Sequence, residues 1–296
     1  MLPPPKPIAA RPAQRFPAMR PAAAEKEPPT IWTFIKLVWN TVAQLFHEPV
    51  GMILGSAFVV LMLWGCEGAL PLLRMVWPSW RGPGSDPHDR PVLIAGVPWD
   101  HEWISFALGA ALLVGLPIVL IKAVYKHDLA DYGLGLPRRE HWPLVAISSA
   151  VLVGMSVLPF FLAAGNAEMK GTYPLFRGGF DSVRSFVVYE LGYFVFFVAI
   201  EFIFRGYLLF GLYNARAQDL AATTVGQRTA FGLYSILVSM LSYTAWHLCK
   251  PQPELWGTLV WGLVAGTAAL STRTIWHIVI VHWGLNVFLD YLLLRG

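Results

Sequence analysis

Charged side chains interrupt an apolar segment at residues 184–213, where Glu190, Glu201 and Arg205 occur. Residues four apart share a face of an α-helix, so Glu201 and Arg205 are expected to be neighbours, and Glu190 points within about 20° of the same direction. Ionisable groups at membrane depth are costly and usually face a bundle interior or a water-filled cavity. We interpret Glu201 as a candidate general base held by Arg205. The alternative is a structural ion pair that pins helix packing.

Histidines supply a second set of candidate groups, nearer to the C-terminus. His247 lies at the end of an apolar segment, where a lone histidine is more often an interfacial residue than a functional one. His282, Asn286 and Asp290 are spaced four apart and therefore form a polar stripe on one helix face. The alternative for this stripe is hydrogen bonding between helices. His277 precedes His282 by five residues, which turns it to another face, so we leave it out of the candidate site.

The candidate site thus holds one carboxylate, two imidazoles, one amide and one guanidinium on three separate apolar segments. These are the groups that hydrolysis of an amide needs. A carboxylate can take a proton from water, and a neutral histidine or an asparagine can donate to the oxyanion of the tetrahedral intermediate. The chain has no GxSxG sequence, so a serine nucleophile is not favoured.

The segments that must position these groups are long and apolar. Hydrophobic residues make up 56% of the 296 residues and charged residues 14%, against about 45–50% and about 25% in soluble domains. Seven segments approach the roughly 20 apolar residues of a spanning helix, at 51–73, 103–124, 143–164, 184–213, 229–248, 255–271 and 275–294. Residues 31–47 carry one polar stripe and are predicted to lie in the membrane interface. The fold class is therefore all-α: a polytopic transmembrane helix bundle of about seven spans plus one interfacial amphipathic helix.

Charge and composition divide the chain into two parts. Residues 1–30 are rich in Pro, Ala, Lys and Arg and are predicted to form a disordered basic tail, and residues 31–296 to form the transmembrane domain. The five Lys and Arg of the tail favour a cytoplasmic N-terminus. The net charge of +4 is too small and too scattered to indicate a nucleic-acid partner.

Three stretches of this sequence, IEFIFRG, YTAWH and HWGLN, resemble the motifs of the CAAX-processing and bacteriocin-processing (CPBP, or Abi) intramembrane proteases. That family carries EExxxR, FxxxH and HxxxN or HxxxB on separate transmembrane helices. The matched positions here are Glu201, Arg205, His247, His282 and Asn286. Tyr243 stands in place of the Phe of the second motif, and DYGL at residues 131–134 is also similar to the family.

The resemblance implies an intramembrane endopeptidase that hydrolyses a peptide bond near a membrane anchor or C-terminal signal. Glu201 would activate water, Arg205 would hold the glutamate, His247 would orient the water, and His282 with Asn286 would stabilise the oxyanion. The expected partners are the lipid bilayer and a membrane-anchored protein or peptide, and the expected location is a prokaryotic plasma membrane. No cofactor is expected, because the accepted mechanism of the family favours catalysis without a metal ion. Two His and a Glu could nevertheless hold zinc.

One position departs from the family pattern, because Ile200 replaces the first glutamate of EExxxR. Three interpretations follow. In the interpretation that we favour, Glu201 takes over as the base. In the second, Glu190 on the same face shares the role. In the third, the protein is an inactive binding or immunity protein on the same scaffold. A transporter with Glu201 and His282 in a proton relay is a further alternative, but the chain lacks the paired halves that many transporters show.

Overall fold

The computed structural model describes residues 30–63, 92–94, 97–99, 101–175, 182–219 and 225–295. The predicted tail, apart from Thr30, lies outside these residues. The helices are α1 (Ile31–His47), α2 (Pro49–Leu63), α3 (His101–Ala110, continued by Ala111–Gly115, Leu116–Val119 and Leu120–Tyr125), α4 (Trp142–Ala163), α5 (Ala167–Thr172), α6 (Val183–Glu201, continued by Phe202–Phe210 and Gly211–Asp219), α7 (Val225–Trp246), α8 (Gln252–Thr272) and α9 (Trp276–Arg295). Short 3₁₀ turns cover Leu129–Tyr132 and Arg139–His141.

The predicted membrane bundle is confirmed. Among the described residues, five helical segments are long and apolar enough to cross a membrane, at Phe106–Tyr125, Arg139–Ala163, Val183–Ala215, Gln252–Thr272 and Trp276–Arg295. The other two predicted spans correspond to shorter apolar helices, Pro49–Leu63 and Ala230–Trp246. The loop between the first two spans contains an addition that the sequence did not indicate, an antiparallel pair of strands, β1 (Val92–Ile94) and β2 (Val97–Trp99).

Helix α1 is the amphipathic helix that the sequence predicts at residues 31–47. It packs against α2 and leaves large apolar side chains exposed, among them Trp32, Phe34 and Trp39. Exposed apolar patches of this kind mark contact with another apolar phase or partner. The placement of α1 in the membrane interface stays a prediction.

Helix α6 is the central helix of the bundle, because it packs against α2, α3, α7, α8 and α9. Its middle part, Phe202–Phe210, is a π-helix, and all nine of these residues are buried. Segments of π-helix are rare and occur frequently at functional sites. Glu201 is the last residue of the α-helical part of α6, and the π-helical part begins at the next residue, Phe202. The wider turn therefore starts directly after Glu201.

The DYGL turn at residues 131–134 fits against the π-helical part of α6. Gly133 takes a left-handed backbone conformation with φ +80°, which glycine adopts without cost. Its carbonyl oxygen accepts a hydrogen bond from the Ile275 amide, 3.0 Å away, just before α9. At Gly206 a side-chain Cβ would lie 2.4 Å from the Phe202 ring and 3.0 Å from the Tyr132 carbonyl oxygen. The close approach therefore requires glycine after Arg205.

Candidate active site

Glu201 lies at the centre of a buried polar network. Its side chain has 0% exposure. One carboxylate oxygen, Oε1, accepts a hydrogen bond from His282 Nδ1 at 2.6 Å and another from Trp261 Nε1 at 3.3 Å. The other oxygen, Oε2, lies 3.4 Å from Arg205 Nε. Short hydrogen bonds to an ionised carboxylate are the strong ones, so three helices, α6, α8 and α9, are tied together at this carboxylate.

Arg205 supplies the positive charge of the network. It is fully buried, and its guanidinium carbon lies 4.0 Å from the centre of the Tyr243 ring. A cation over an aromatic face is attracted by the ring quadrupole, by about 2 kcal/mol or more where water is excluded. Tyr243 replaces the Phe of the family motif, and the ring face at this position is what Arg205 contacts.

His282 and Asn286 lie one turn apart on α9, as the sequence predicts. The Nδ1 of His282 is the donor to Glu201, because a carboxylate oxygen can only accept. That leaves Nε2, on the opposite side of the ring, for other contacts. Asn286 Nδ2 donates to the His282 carbonyl oxygen at 3.1 Å, and its second N–H remains for another acceptor.

His247 follows the last residue of α7 and is buried. Its Nδ1 donates to the Tyr243 carbonyl oxygen at 2.7 Å, which fixes the ring orientation and places the proton on Nδ1. Its Nε2 lies 3.4 Å from Oε1 of Glu254. The structure therefore pairs each histidine of the candidate site with a carboxylate: His282 with Glu201, and His247 with Glu254.

Glu254 is a residue that the sequence interpretation did not single out. It lies in the first turn of α8, just after Lys250 and Pro251, which separate α7 from α8. Its Oε2 accepts a hydrogen bond from the Tyr173 hydroxyl at 2.8 Å. Burial, together with the charge of Glu254, raises the pKa of Tyr173 well above its ordinary value, so the phenol keeps the proton that it donates.

A cavity of about 300 Å³ lies beside this network, between α4, α6, α7, α8 and α9. Most of its wall is apolar, with aromatic rings from Phe160, Phe196, Phe197 and Trp246. The polar groups of the wall are Ser156, Tyr173, Tyr193, Tyr243, His247, Lys250, Glu254, Thr258, Trp261, His282 and Asn286. An apolar pocket with a few converging polar groups is the usual form of a substrate site.

The cavity separates the five predicted site residues into two groups. His247, His282 and Asn286 line it, whereas Glu201 and Arg205 are fully buried and are not part of its lining. Ile200 does line it, at the position where the family carries its first glutamate. Glu201 is therefore positioned to act on the cavity through His282.

The remaining polar residues of the two predicted stripes lie outside the cavity. Glu190 and Asp290 are buried and do not appear in its wall, and the Glu190 carbonyl oxygen accepts from Trp283 Nε1 at 2.9 Å. His277 Nε2 lies 3.1 Å from Ser148 Oγ and joins α9 to α4. The sequence-based separation of His277 from His282 agrees with these contacts.

Within the described part of the chain, no three His, Cys, Asp or Glu side chains are grouped so that they could hold a metal ion. The zinc set considered from the sequence, two histidines with Glu201, is divided by the geometry. Glu201 Oε1 accepts a hydrogen bond from His282 Nδ1, and His247 instead faces Glu254. The donor set does not fit a three-ligand zinc site.

Residues 182–288 match the model of the protein family described as type II CAAX prenyl endopeptidase Rce1-like. No curated protein and no solved structure matches the chain. The matched range runs from the start of α6 into α9 and includes all five predicted site residues. The resemblance indicated by the three sequence motifs is thereby confirmed over roughly a third of the chain.

Proposed function

We propose that this chain, whose residues 182–288 match the Rce1-like CAAX prenyl endopeptidases, is an intramembrane endopeptidase. The observation that carries the proposal is the convergence of His247, His282 and Asn286 on one mostly apolar cavity. A buried carboxylate stands directly behind His282, with 2.6 Å between Glu201 Oε1 and Nδ1. A histidine oriented by a buried carboxylate is a recurrent element of peptide-bond hydrolysis on unrelated folds.

His282 and Asn286 form the oxyanion site of the proposed reaction. Asn286 offers its free N–H, and His282 offers Nε2–H once the ring is doubly protonated, because Nδ1 already donates to Glu201. Glu201 stabilises that imidazolium, and Arg205 offsets the charge of Glu201. The cluster then carries one net positive charge, which opposes the negative charge that develops on the scissile carbonyl oxygen.

Glu201 is better suited to position His282 than to activate water. Its Oε1 already accepts hydrogen bonds from His282 and Trp261, and its Oε2 faces the buried guanidinium of Arg205 at 3.4 Å. A general base must reach the proton that it takes, within hydrogen-bond distance or through one water. Because Glu201 does not line the cavity, we assign to it the role that the carboxylate plays in a catalytic triad, which is to fix the tautomer and orientation of the imidazole.

The substrate class follows from the wall of the cavity and its setting. Aromatic and aliphatic side chains surround the polar groups, and the helices that carry them are apolar enough to cross a membrane. Such a site suits a peptide bond beside a lipid or transmembrane anchor better than a soluble peptide. The CAAX prenyl endopeptidase match makes a prenylated C-terminal peptide the first candidate.

A second function on the same scaffold is binding without cleavage. One observation favours it: Ile200, an apolar side chain, lines the cavity where the family carries a carboxylate. Under this alternative the histidines and Asn286 would hold a peptide carbonyl, and no group would activate water.

Cleavage of anchored peptides distinguishes the two functions. Purified protein in lipid nanodiscs is incubated with a panel of farnesylated CAAX, palmitoylated and single-span transmembrane peptides, and the products are identified by mass spectrometry. We expect wild type to cut at least one peptide. His282→Ala should lower kcat by about 100-fold or more, the usual cost of losing an oxyanion donor, and Glu201→Ala should have a similar effect.

His277→Ala is the matched control, since His277 is a buried histidine of the same helix that contacts Ser148 and lies outside the cavity wall. It should retain activity. A wild type that cuts none of the peptides, while binding one of them, would favour the inactive binding protein.

A further inference from the structure

Glu254 is the carboxylate that stands in the cavity where reacting groups can reach it. Its side chain is 21% exposed, against 0% for Glu201. It lines the same cavity as Ile200, His247, His282 and Asn286. Two carboxylates thus serve the two histidines, and only one of them opens on the space where a peptide would lie.

The contact between Glu254 and His247 is made by two atoms that both accept hydrogen bonds. Nδ1 of His247 carries the ring proton, because it donates to the Tyr243 carbonyl oxygen. In the neutral ring Nε2 therefore presents a lone pair towards Oε1 of Glu254, 3.4 Å away. A water about 2.8 Å from each atom, an ordinary hydrogen-bond length, can donate one hydrogen to each. The pair is a site for a water molecule that is about to lose a proton.

Tyr173 holds the carboxylate in this position. Its hydroxyl donates to Oε2 at 2.8 Å, and this leaves Oε1 to face His247. The raised pKa of Tyr173 keeps this donor protonated. Glu254 is thus oriented by one fixed hydrogen bond, as a general base requires.

We propose that Glu254, together with His247, activates the water in this protein, supplying from α8 the carboxylate that is absent at Ile200 on α6. The assignment rests on the proposed endopeptidase function. An O–H bond of the water breaks and its proton passes to the Glu254–His247 pair, while the water oxygen forms a bond to the scissile carbonyl carbon. The C=O electron pair moves to the carbonyl oxygen, which His282 and Asn286 stabilise. On collapse the C–N bond breaks, and the pair returns the proton to the departing amine nitrogen.

The first test replaces the carboxylate by its amide. Glu254→Gln keeps the size of the side chain and its hydrogen bond from Tyr173 but removes the basic oxygen. We expect kcat on the panel peptide that wild type cleaves to fall by about 100-fold or more, within the range of general-base catalysis, with little change in KM. Glu140→Gln is the control, because that glutamate is exposed, pairs with Arg138 at 3.7 Å and is not part of the cavity wall.

The second test returns a carboxylate to the position that Ile200 occupies. Adding Ile200→Glu to Glu254→Gln should recover part of the lost kcat, because both side chains line one cavity. A purely structural role of Glu254 would not be rescued from another helix. The acid limb of the pH dependence of kcat/KM should disappear in Glu254→Gln and return in the double variant.

The outcomes distinguish the role of Glu254 as the base from the proposed endopeptidase function on which that role rests. If Glu254→Gln cleaves the peptide with the kcat of wild type, the proposed role of Glu254 is wrong and the proposed endopeptidase function still holds. A loss that Ile200→Glu does not restore in any part also overturns that role. If wild type cleaves no panel peptide, the proposed function fails and the assignment fails with it.

Discussion

Replacing Arg205 by Met tests whether the buried network is ionic. The change keeps most of the apolar volume but removes the cation that lies 3.4 Å from Glu201 Oε2 and 4.0 Å from the centre of the Tyr243 ring. Both side chains of the ion pair have 0% exposure, so water cannot replace the lost charge. Removing one partner of a buried pair typically costs about 3–5 kcal/mol, because the other charge stays buried and uncompensated. We therefore expect Arg205→Met to lower the free energy of unfolding by about that amount.

The measurement is equilibrium unfolding in mixed micelles, followed by tryptophan fluorescence. Arg138→Met is the matched control, since Arg138 pairs with Glu140 at 3.7 Å with side chains that are 61% and 67% exposed. Exposed pairs contribute about 0–1 kcal/mol. A second variant, Arg205→Met with Glu201→Gln, removes both charges and should recover a large part of the loss, which gives the coupling between the two residues.

If Arg205→Met were tolerated as well as Arg138→Met, the buried network would not be ionic. If the double variant were no more stable than Arg205→Met alone, Glu201 would not be a buried charge that depends on Arg205.

Three further predictions follow from contacts outside the cavity or from its chemistry. Gly206→Ala places a Cβ 2.4 Å from the Phe202 ring and should cost about 1–3 kcal/mol of stability, whereas Gly154→Ala, with nothing within 4 Å, should cost none. Burial lowers the pKa of His127, so the unfolded chain binds a proton at this residue more readily than the folded chain does. Stability is therefore lost as the pH falls below about 6.5. The melting temperature of wild type should drop more between pH 7.5 and 5.5 than that of His127→Gln, and equal drops would contradict this. The rate of peptide cleavage should not change on addition of a chelator such as EDTA, because the donors of the site do not form a three-ligand zinc set. Cleavage that is lost with EDTA and recovered on added zinc would contradict that prediction.

The all-α class and the positions of the long apolar helices were predictable from the sequence, because a spanning helix needs a long apolar segment and leaves a local signal. The meeting of His282 and Asn286 was also predictable, since residues four apart lie on one face of any α-helix. The family motifs added which segments meet, and the structure brings those segments together around one cavity.

Other features could not be read from local pattern. The π-helix at Phe202–Phe210 has no distinctive composition, because it is produced by how α6 packs among five other helices. The burial of Glu201 behind His282 depends in the same way on tertiary contacts from α8 and α9.

Glu254 was missed for a different reason. An acidic residue in the first turn of a helix is ordinary, since it complements the helix dipole, and Glu254 lies one residue before the predicted span 255–271. The available signal was its distance of seven residues from His247 across the break at Pro251, which permits the two side chains to meet after a sharp turn. A search for carboxylates near every candidate histidine, including those at span ends, would have included it.

The most direct test of the account is the cleavage of a farnesylated CAAX peptide in nanodiscs by wild type, His282→Ala and His277→Ala. We expect wild type and His277→Ala to release a C-terminal fragment, and kcat to be about 100-fold or more lower in His282→Ala. Equal cleavage by His282→Ala and wild type would contradict the central claim that the cavity beside Glu201 is where the peptide bond is hydrolysed.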